Sequence, residues 1–328
     1  MKIIYVTDIH GDRAKYWHVF EAAKEKDVQA VVNGGDMLPK EGDLHLEQKE
    51  FVEGFLDKYF AEYQKANIHH LGYLGNDDLK IYDADFDRVC SKYSRAVNLA
   101  QTRFTLGSFE LIGMNWVVDY PFQLKDRCRK DKKDYVFQRQ FGPGLLSREN
   151  GFEEITNWFT YAGALPTIQE ELGSLPKPKN PGQTIYVIHM PPARIGLDMC
   201  QSGETVGSES IHEFIKKIQP RLTLHGHIHE SPSCSGVWKA KIGKTVCIQP
   251  GQMRSNGLSY VLIDLDKMTM ERFEVPLDRG LAPDFSFSES KNRQHYLTAV
   301  KKGYAQNYEP LSRFMRDAIE RSKRLSGS

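Results

Sequence analysis

Short apolar runs punctuate the chain, and each is closed by a small or polar residue: Ile3–Val6, Ala30–Val32, Ile68–Leu74 and Ile185–Ile188. Their length and β-branched content predict buried strands. Between them the apolar positions change period. Trp17, Phe20 and Ala23 within Tyr16–Lys26, and Phe55, Leu56 and Tyr59 within Phe51–Tyr63, recur at helical spacing. Strand alternating with helix predicts an α/β sheet. Further along, Phe104–Leu106 and Phe109–Val118 flank Gly107-Ser108, and Val237–Ile242 and Thr245–Ile248 flank Gly243-Lys244. Both read as hairpins, and Tyr260–Leu265 followed by Met270–Val275 extends the pattern, so the later sheet is expected to be mixed or antiparallel.

Two segments break the scheme. Residues 119–181 hold the charged run KDRCRKDKKD, a helical pattern around Phe152–Leu165 and the Pro-rich SLPKPKNPG, which together read as an insertion or cap plus connector. After Pro276 the chain turns polar, and Leu311, Phe314, Met315, Ala318, Ile319 and Leu325 then fall at helical spacing among Arg and Lys. The expected division is a main domain over 1–276 and an extension over 277–328. The amphipathic helix of that extension docks on its own domain or forms a homo-oligomer contact.

With 328 residues, 40% apolar and 27% charged, the composition is that of a globular chain with a packed core. A net charge of +1 removes the global electrostatic argument for nucleic acid or an anionic membrane as partner. The basic run Lys125–Lys133, with Tyr135 and Phe137 beyond it, reads as a solvated helix or loop; contact with single-stranded nucleic acid is the alternative. Five scattered cysteines form neither a disulfide framework nor a zinc motif, and neither a signal-peptide core nor a membrane span is visible. A cytoplasmic location follows as the expectation.

The candidate chemistry sits where the apolar runs stop. Asp8-Ile9-His10, Gly35-Asp36, Gly75-Asn76 and His189 each follow a run, and RLTL feeds into His225-Gly226-His227-Ile228-His229. Singly, each has a plain explanation: Asp8 caps the next helix, His189 is a hydrogen-bonded core histidine, the alternating histidines face solvent from a strand. Together they fall beyond the carboxyl ends of strands, where ligands converge in open α/β sheets. Oxygen and imidazole donors without thiolates suit Mn²⁺, Fe²⁺ or Zn²⁺. Their number exceeds what one ion takes and fits two divalent metal ions sharing a carboxylate. Such a pair, about 3.5–4 Å apart, activates a shared water to attack a phosphoryl group.

D-x-H, GD, GN-x-D, a lone His and GH-x-H in this order resemble the calcineurin-like metallophosphoesterase superfamily. The HMPP stretch, VGSESIHEFIKKIQP, LTLHGHIHESP and Gln249-Pro250-Gly251 are similar to phosphoesterases related to the Icc cyclic-nucleotide diesterases. The resemblance implies an αββα sandwich, two facing mixed β-sheets flanked by helices, with the dimetal site at the sheet edge. It places Asp8, His10 and His229 on one metal, Asn76, His189 and His227 on the other, and Asp36 between them. His225 is then a packing or supporting residue, and His18, His45, His69, His70, His212 and His295 match no motif. Arg254 and Asn256, after Pro250-Gly251, are candidate substrate contacts.

In many relatives the Asn ligand is followed by a His that contacts the phosphate or protonates the leaving oxygen, and then by an Asp. Here Asp77 occupies the His position and Asp78 follows. An ionised Asp77 repels an anionic phosphate and has no proton to give unless burial or a neighbouring carboxylate raises its pKa. It penalises a dianionic monoester more than a monoanionic diester. The expected function is therefore a metal-dependent phosphodiesterase acting on a small phosphoester, with Asp77 and Asp78 as catalytic candidates. A nuclease and a catalytically silent scaffold of the same fold are the alternatives.

Overall fold

The computed structural model describes residues 1–253 and 256–277, and within them every apolar run that ends in a candidate ligand is a strand. The architecture is that of the unit Met1–Leu277. The helix expected around Leu311–Leu325, together with Arg254 and His295, lies outside the described residues.

Two six-stranded sheets form among the described residues. The first runs in the order Thr269–Pro276, Gly257–Asp264, Lys2–Val6, Ala30–Asn33, His69–Gly72, Ala96–Asn98. Its last four strands are parallel, and the Gly257–Asp264 strand pairs antiparallel with Lys2–Val6. The second runs Lys239–Ile242, Thr245–Ile248, Leu222–Leu224, Thr184–Ile188, Phe109–Met114, Arg103–Leu106, with antiparallel hairpins at both edges and parallel strands between. Both sheets are mixed.

The two-residue period of a strand decides which layer each side chain enters. Ile3 and Tyr5 point into the core between the sheets, with Val32, Leu71, Leu111, Ile185, Val187, Leu222 and Leu224. Ile4 and Val6 point the other way, onto Tyr16, Phe20, Tyr59 and Tyr63 of the helices Arg13–Glu25 and Asp57–Ala66. On the far face of the second sheet, Ile112, Met114, Tyr186 and Ile188 pack against Trp158, Ile168, Leu172, Ile211 and Ile215. Each such side chain contributes about 1.5–3 kcal/mol of transfer free energy. The result is the expected αββα sandwich.

The segment 119–181 differs in detail from its sequence pattern. The helical periodicity around Phe152–Leu165 yields to a hairpin, Gly144–Arg148 with Gly151–Ile155, and a short helix only at Trp158–Gly163. Glu149-Asn150 makes the two-residue turn and Gly151, at φ 119°, follows it; a turn there outweighs the weak apolar spacing. The helices Trp158–Gly163 and Ile168–Ser174 supply core for the second sheet, as the packing of Trp158, Ile168 and Leu172 shows.

The charged run is the larger correction. Lys125, Arg127 and Arg129 are buried, not solvated. Lys125 Nζ lies 2.8 Å from Asp119 Oδ1, Arg127 forks onto Asp83, and Arg129 Nε donates to Glu171 Oε1 at 3.1 Å. Arg127 Nε also donates to the Gly75 carbonyl at 2.7 Å. Two of these acids stand more than forty positions from their partners, so the local sequence shows only unpaired charge. Those three of the run's six cations are committed internally, whereas Lys132 and Lys133 are exposed. Removing one member of a fully buried pair strands the other. Lys125→Met is therefore expected to lower unfolding stability by about 3 kcal/mol, read from the urea midpoint at unchanged m-value.

Candidate metal centre

The ligand-bearing loops leave the ends of parallel strands and are bonded to one another rather than to solvent. Asp8 N donates to Gly35 O at 3.0 Å, and His10 N to Asp36 O at 2.9 Å. Within the second sheet Gly226 N donates to His189 O at 2.9 Å, and across the two sheets His227 N donates to Asp8 Oδ1 at 3.0 Å. Asp77 N donates to Asp36 Oδ1 at 2.9 Å. These bonds hold an unusual backbone: Asp8, His10, Asp36 and His227 have φ of 56°, 50°, 51° and 70°. Left-handed conformations cost about 1–3 kcal/mol each in a non-glycine residue and persist where the surroundings enforce them, commonly at ligand sites. Gly75 is required by closeness, because a Cβ there would collide with Asp36 Oδ1 and its backbone nitrogen.

One ligand atom from each of Asp8, His10, Asp36 and His229 falls within a sphere of mutual separations no larger than 4.8 Å. His10 Nε2 and His229 Nε2 stand 3.0 Å apart. On the other side, His227 Nδ1 and His189 Nε2 approach Asn76 Oδ1 at 2.6 and 2.9 Å. Asp36 belongs to both groups, since its Oδ2 is 3.3 Å from His189 Nε2. The 3.0 and 3.3 Å spacings suit a cation, while the 2.6 and 2.9 Å contacts at Asn76 Oδ1 are hydrogen-bond distances. Two ligand atoms about 2.1 Å from one ion are about 3.0–3.4 Å apart at octahedral or tetrahedral angles. Asp8 Oδ2 and His10 Nδ1 are buried without a hydrogen-bond partner, the condition of donors awaiting an ion or a proton. His189 Nδ1 donates to Gly34 O at 2.7 Å, which turns Nε2 toward Asn76 and Asp36 as the atom that would face a cation.

Before any cation binds, protons carry this charge. Burial alone would depress His189, but the Asp36 and Asp8 carboxylates lift it to about 9. His189 and His10 in turn hold Asp36 well below the carboxylate range against its own burial. Burial lowers His10 and His227 to about 3, favouring the neutral, ligating form. Asp77 and Asp78 are both pushed up to about 7, first by burial and then by Asp36.

The structure thus brings together Asp8, His10, Asp36, Asn76, His189, His227 and His229. Asp77 stands beside them: its Oδ1 accepts from Asn76 Nδ2 at 2.7 Å, and its Oδ2 is 3.9 Å from His10 Nδ1. Asp78 is differently occupied. Its carboxylate accepts from the backbone N–H groups of Met37, Leu38 and Gly75, at 2.9, 2.8 and 2.7 Å, and ties the loop carrying Asp36 to the loop carrying Asn76. It acts as a brace. Asn256 sits at the start of the strand Gly257–Asp264, its carbonyl accepting from Leu277 N. Asp12, rather than Asp8, caps the helix Arg13–Glu25 through Ala14 N and Lys15 N. His225 is structural, buried between Thr223 Oγ1 and the carbonyls of Ile188 and Met190.

Three supporting residues escaped the sequence reading. Arg127 holds the Gly75 carbonyl, Gln249 Nε2 donates to the carbonyls of Gly226 and Ile228, and Asn115 Nδ2 donates to Leu74 O. Gln249 was visible as the residue before Pro250-Gly251, but nothing local reveals which loop a glutamine spans.

Residues 1–231 match the sequence profile of the calcineurin-like phosphoesterase family. The chain belongs to that family. It is a metallophosphoesterase, a hydrolase of phosphoric esters in a dimetal-dependent family. A search among curated proteins found no match. Among solved structures, one described only as a crystal structure is 18% identical at a TM-score of 0.52, over 84% of this chain and 98% of its own. That likeness supports the fold. TT1561 of Thermus thermophilus is 16% identical at 0.49, over 83% and 97%, and a dimetal phosphatase from Danio rerio is 10% identical at 0.47, over 85% and 99%. No helix among the described residues is long and apolar enough to cross a membrane.

The raised His189 fixes the sign of a pH effect. Its folded value of about 9 exceeds an unfolded value of about 6.5, so its contribution to stability is whole below 6.5 and is lost as pH rises through 9. Chelator-treated protein is expected to lose melting temperature between pH 7 and 9, and His189→Asn to flatten that slope. A rising melting temperature over this window would contradict the assignment.

Proposed function

We propose that this metallophosphoesterase hydrolyses phosphodiesters of small molecules and takes Mn²⁺, Fe²⁺ or Zn²⁺ in both positions. The observation that carries the reading is the carboxyl of Asp77, whose Oδ1 accepts from Asn76 Nδ2 at 2.7 Å and whose Oδ2 lies 3.9 Å from His10 Nδ1, at the edge of the candidate centre. Asp8, His10 and His229 would hold one cation, Asn76, His189 and His227 the other, and Asp36 would face both. When bound, the pair supplies Lewis-acid polarisation of the phosphoryl group and lowers the pKa of water.

The chain's own groups do the rest. Loop-to-loop bonds fix the ligands before substrate arrives, so little reorganisation accompanies the reaction. Asp77, hydrogen-bonded to the proposed ligand Asn76, is the group of this chain placed to give a proton to the departing oxygen as general acid. Exposed Lys40, whose charge is felt at His10, Asp77 and His229, attracts the anionic phosphoryl group. A partly ionised Asp77 repels a dianionic monoester more than a monoanionic diester. A good leaving group makes its proton dispensable.

The test is hydrolysis of bis(p-nitrophenyl) phosphate and p-nitrophenyl phosphate with added Mn²⁺. Turnover is expected to favour the diester and to drop at least about 100-fold in Asp36→Asn, which weakens both cation positions. Asp77→His should raise the monoester-to-diester ratio of kcat/KM by about tenfold. An unchanged ratio would refute the role of Asp77, and equal rates in wild type and Asp36→Asn would leave a scaffold that binds metal without turnover.

A further inference from the structure

Beside the metal centre, aromatic rings lead outward in an unbroken row. The Tyr120 ring lies 5.7 Å from the ring of the ligand His227, Phe122 lies 5.9 Å from Tyr120, and Phe141 lies 5.5 Å from Phe122. The outer two belong to the surface: Phe122 is 62% and Phe141 71% exposed. Large apolar side chains left open next to a reaction centre are a sign of something that covers them.

The row is built on the buried charges of the segment 119–145. Lys125 Nζ donates to Asp119 Oδ1 and to the Tyr120 carbonyl, and lies 4.9 Å from the Tyr120 ring centroid and 5.4 Å from that of Trp158. Trp158 Nε1 donates to Asp119 Oδ1 at 2.8 Å, and Gln140 Nε2 to Asp119 Oδ2 at 3.0 Å. The Tyr120 hydroxyl donates to Leu124 O at 2.7 Å. Phe141 N donates to Pro121 O at 2.9 Å, joining the two stretches that carry the rings. Asp119 is thus the node that fixes both, and the rings stand on a stapled arm.

We propose that Tyr120, Phe122 and Phe141 form a platform that stacks a planar ring carried on the substrate's ester group, which makes ring-bearing phosphodiesters, aryl or nucleoside, the preferred class. This rests on the phosphodiesterase reading above and deepens it. The occupant is the substrate, because the row begins at a metal ligand: a phosphoryl group held there places its ester substituent against Tyr120. Stacking on aromatic side chains is strong and tolerant of ring identity because each planar ring offers a π face.

Binding tests the platform without requiring turnover. Three monoanionic diester mimics, ethyl methylphosphonate, phenyl methylphosphonate and thymidine 5′-methylphosphonate, are titrated calorimetrically into the Mn²⁺-loaded full chain. The ring-bearing ligands are expected to bind about tenfold more tightly than the ethyl ester. Phe122→Ala with Phe141→Ala should bring that ratio close to one, and Phe122→Tyr with Phe141→Tyr should keep it. A preference for thymidine over phenyl identifies a nucleoside as the source of the ring, and equality an aryl group. Equal affinity for the ethyl and both ring-bearing ligands in wild type, or a ratio untouched by the double alanine variant, overturns the platform. Bis(p-nitrophenyl) phosphate turnover, measured alongside, separates the two readings: a ring preference without turnover keeps the platform and removes the phosphodiesterase.

Discussion

The structure depends on keeping Asp36 charged while it is almost wholly buried. An isolated carboxylate in such a place would take a proton; this one is held in the ionised form by His189 on one side and His10 on the other, with Asp77 N as a direct hydrogen bond. The rest of the centre follows from that demand. Imidazoles must approach from both sheets, so the sheets must present their strand ends to one another. Four candidate ligand residues have left-handed backbones. Asp78, Arg127 and Gln249 are spent on holding the loops that carry them. Much of the polar core is scaffolding for a single carboxylate.

The fold and the ligand set were legible for different reasons. Strands such as Ile3–Val6 and Ile185–Ile188 are short, β-branched and buried on both faces, so local sequence and global position agree. The clustering of the candidate ligands was legible because each motif sits directly after a strand, where the chain has one place to go. The brace that Asp78 forms was not legible because its neighbours in sequence suggest chemistry, while its partners, Met37 and Leu38, lie some forty residues away. The same distance hid the acids facing Arg127 and Arg129. What pairs with what across a sandwich is set by which loops meet, and a single sequence carries little of that.

The segment 119–181 shows how composition misleads when charge is buried. Counted as residues, KDRCRKDKKD is a solvated stretch. Placed in the structure, its alternate cations point inward to acids, while Phe122 before it and Phe141 after it are turned to the surface. The usual arrangement, apolar within and charged without, is locally inverted. That inversion leaves the charged chains with structural work and the rings free for contact.

The ring nitrogens of His10 and His229 meet at 3.0 Å although 219 positions separate them along the chain. The candidate ligand constellation therefore closes only when both sheets have docked, and no short contiguous fragment contains it. Contacts of such long range form late in folding and slow it, because the intervening chain must be ordered first. A cation that needs the whole constellation can be captured only by a chain synthesised past His229 and fully folded. Metal occupancy would then report completed folding, and an ion bound there would act as a lock that slows the return to the open chain.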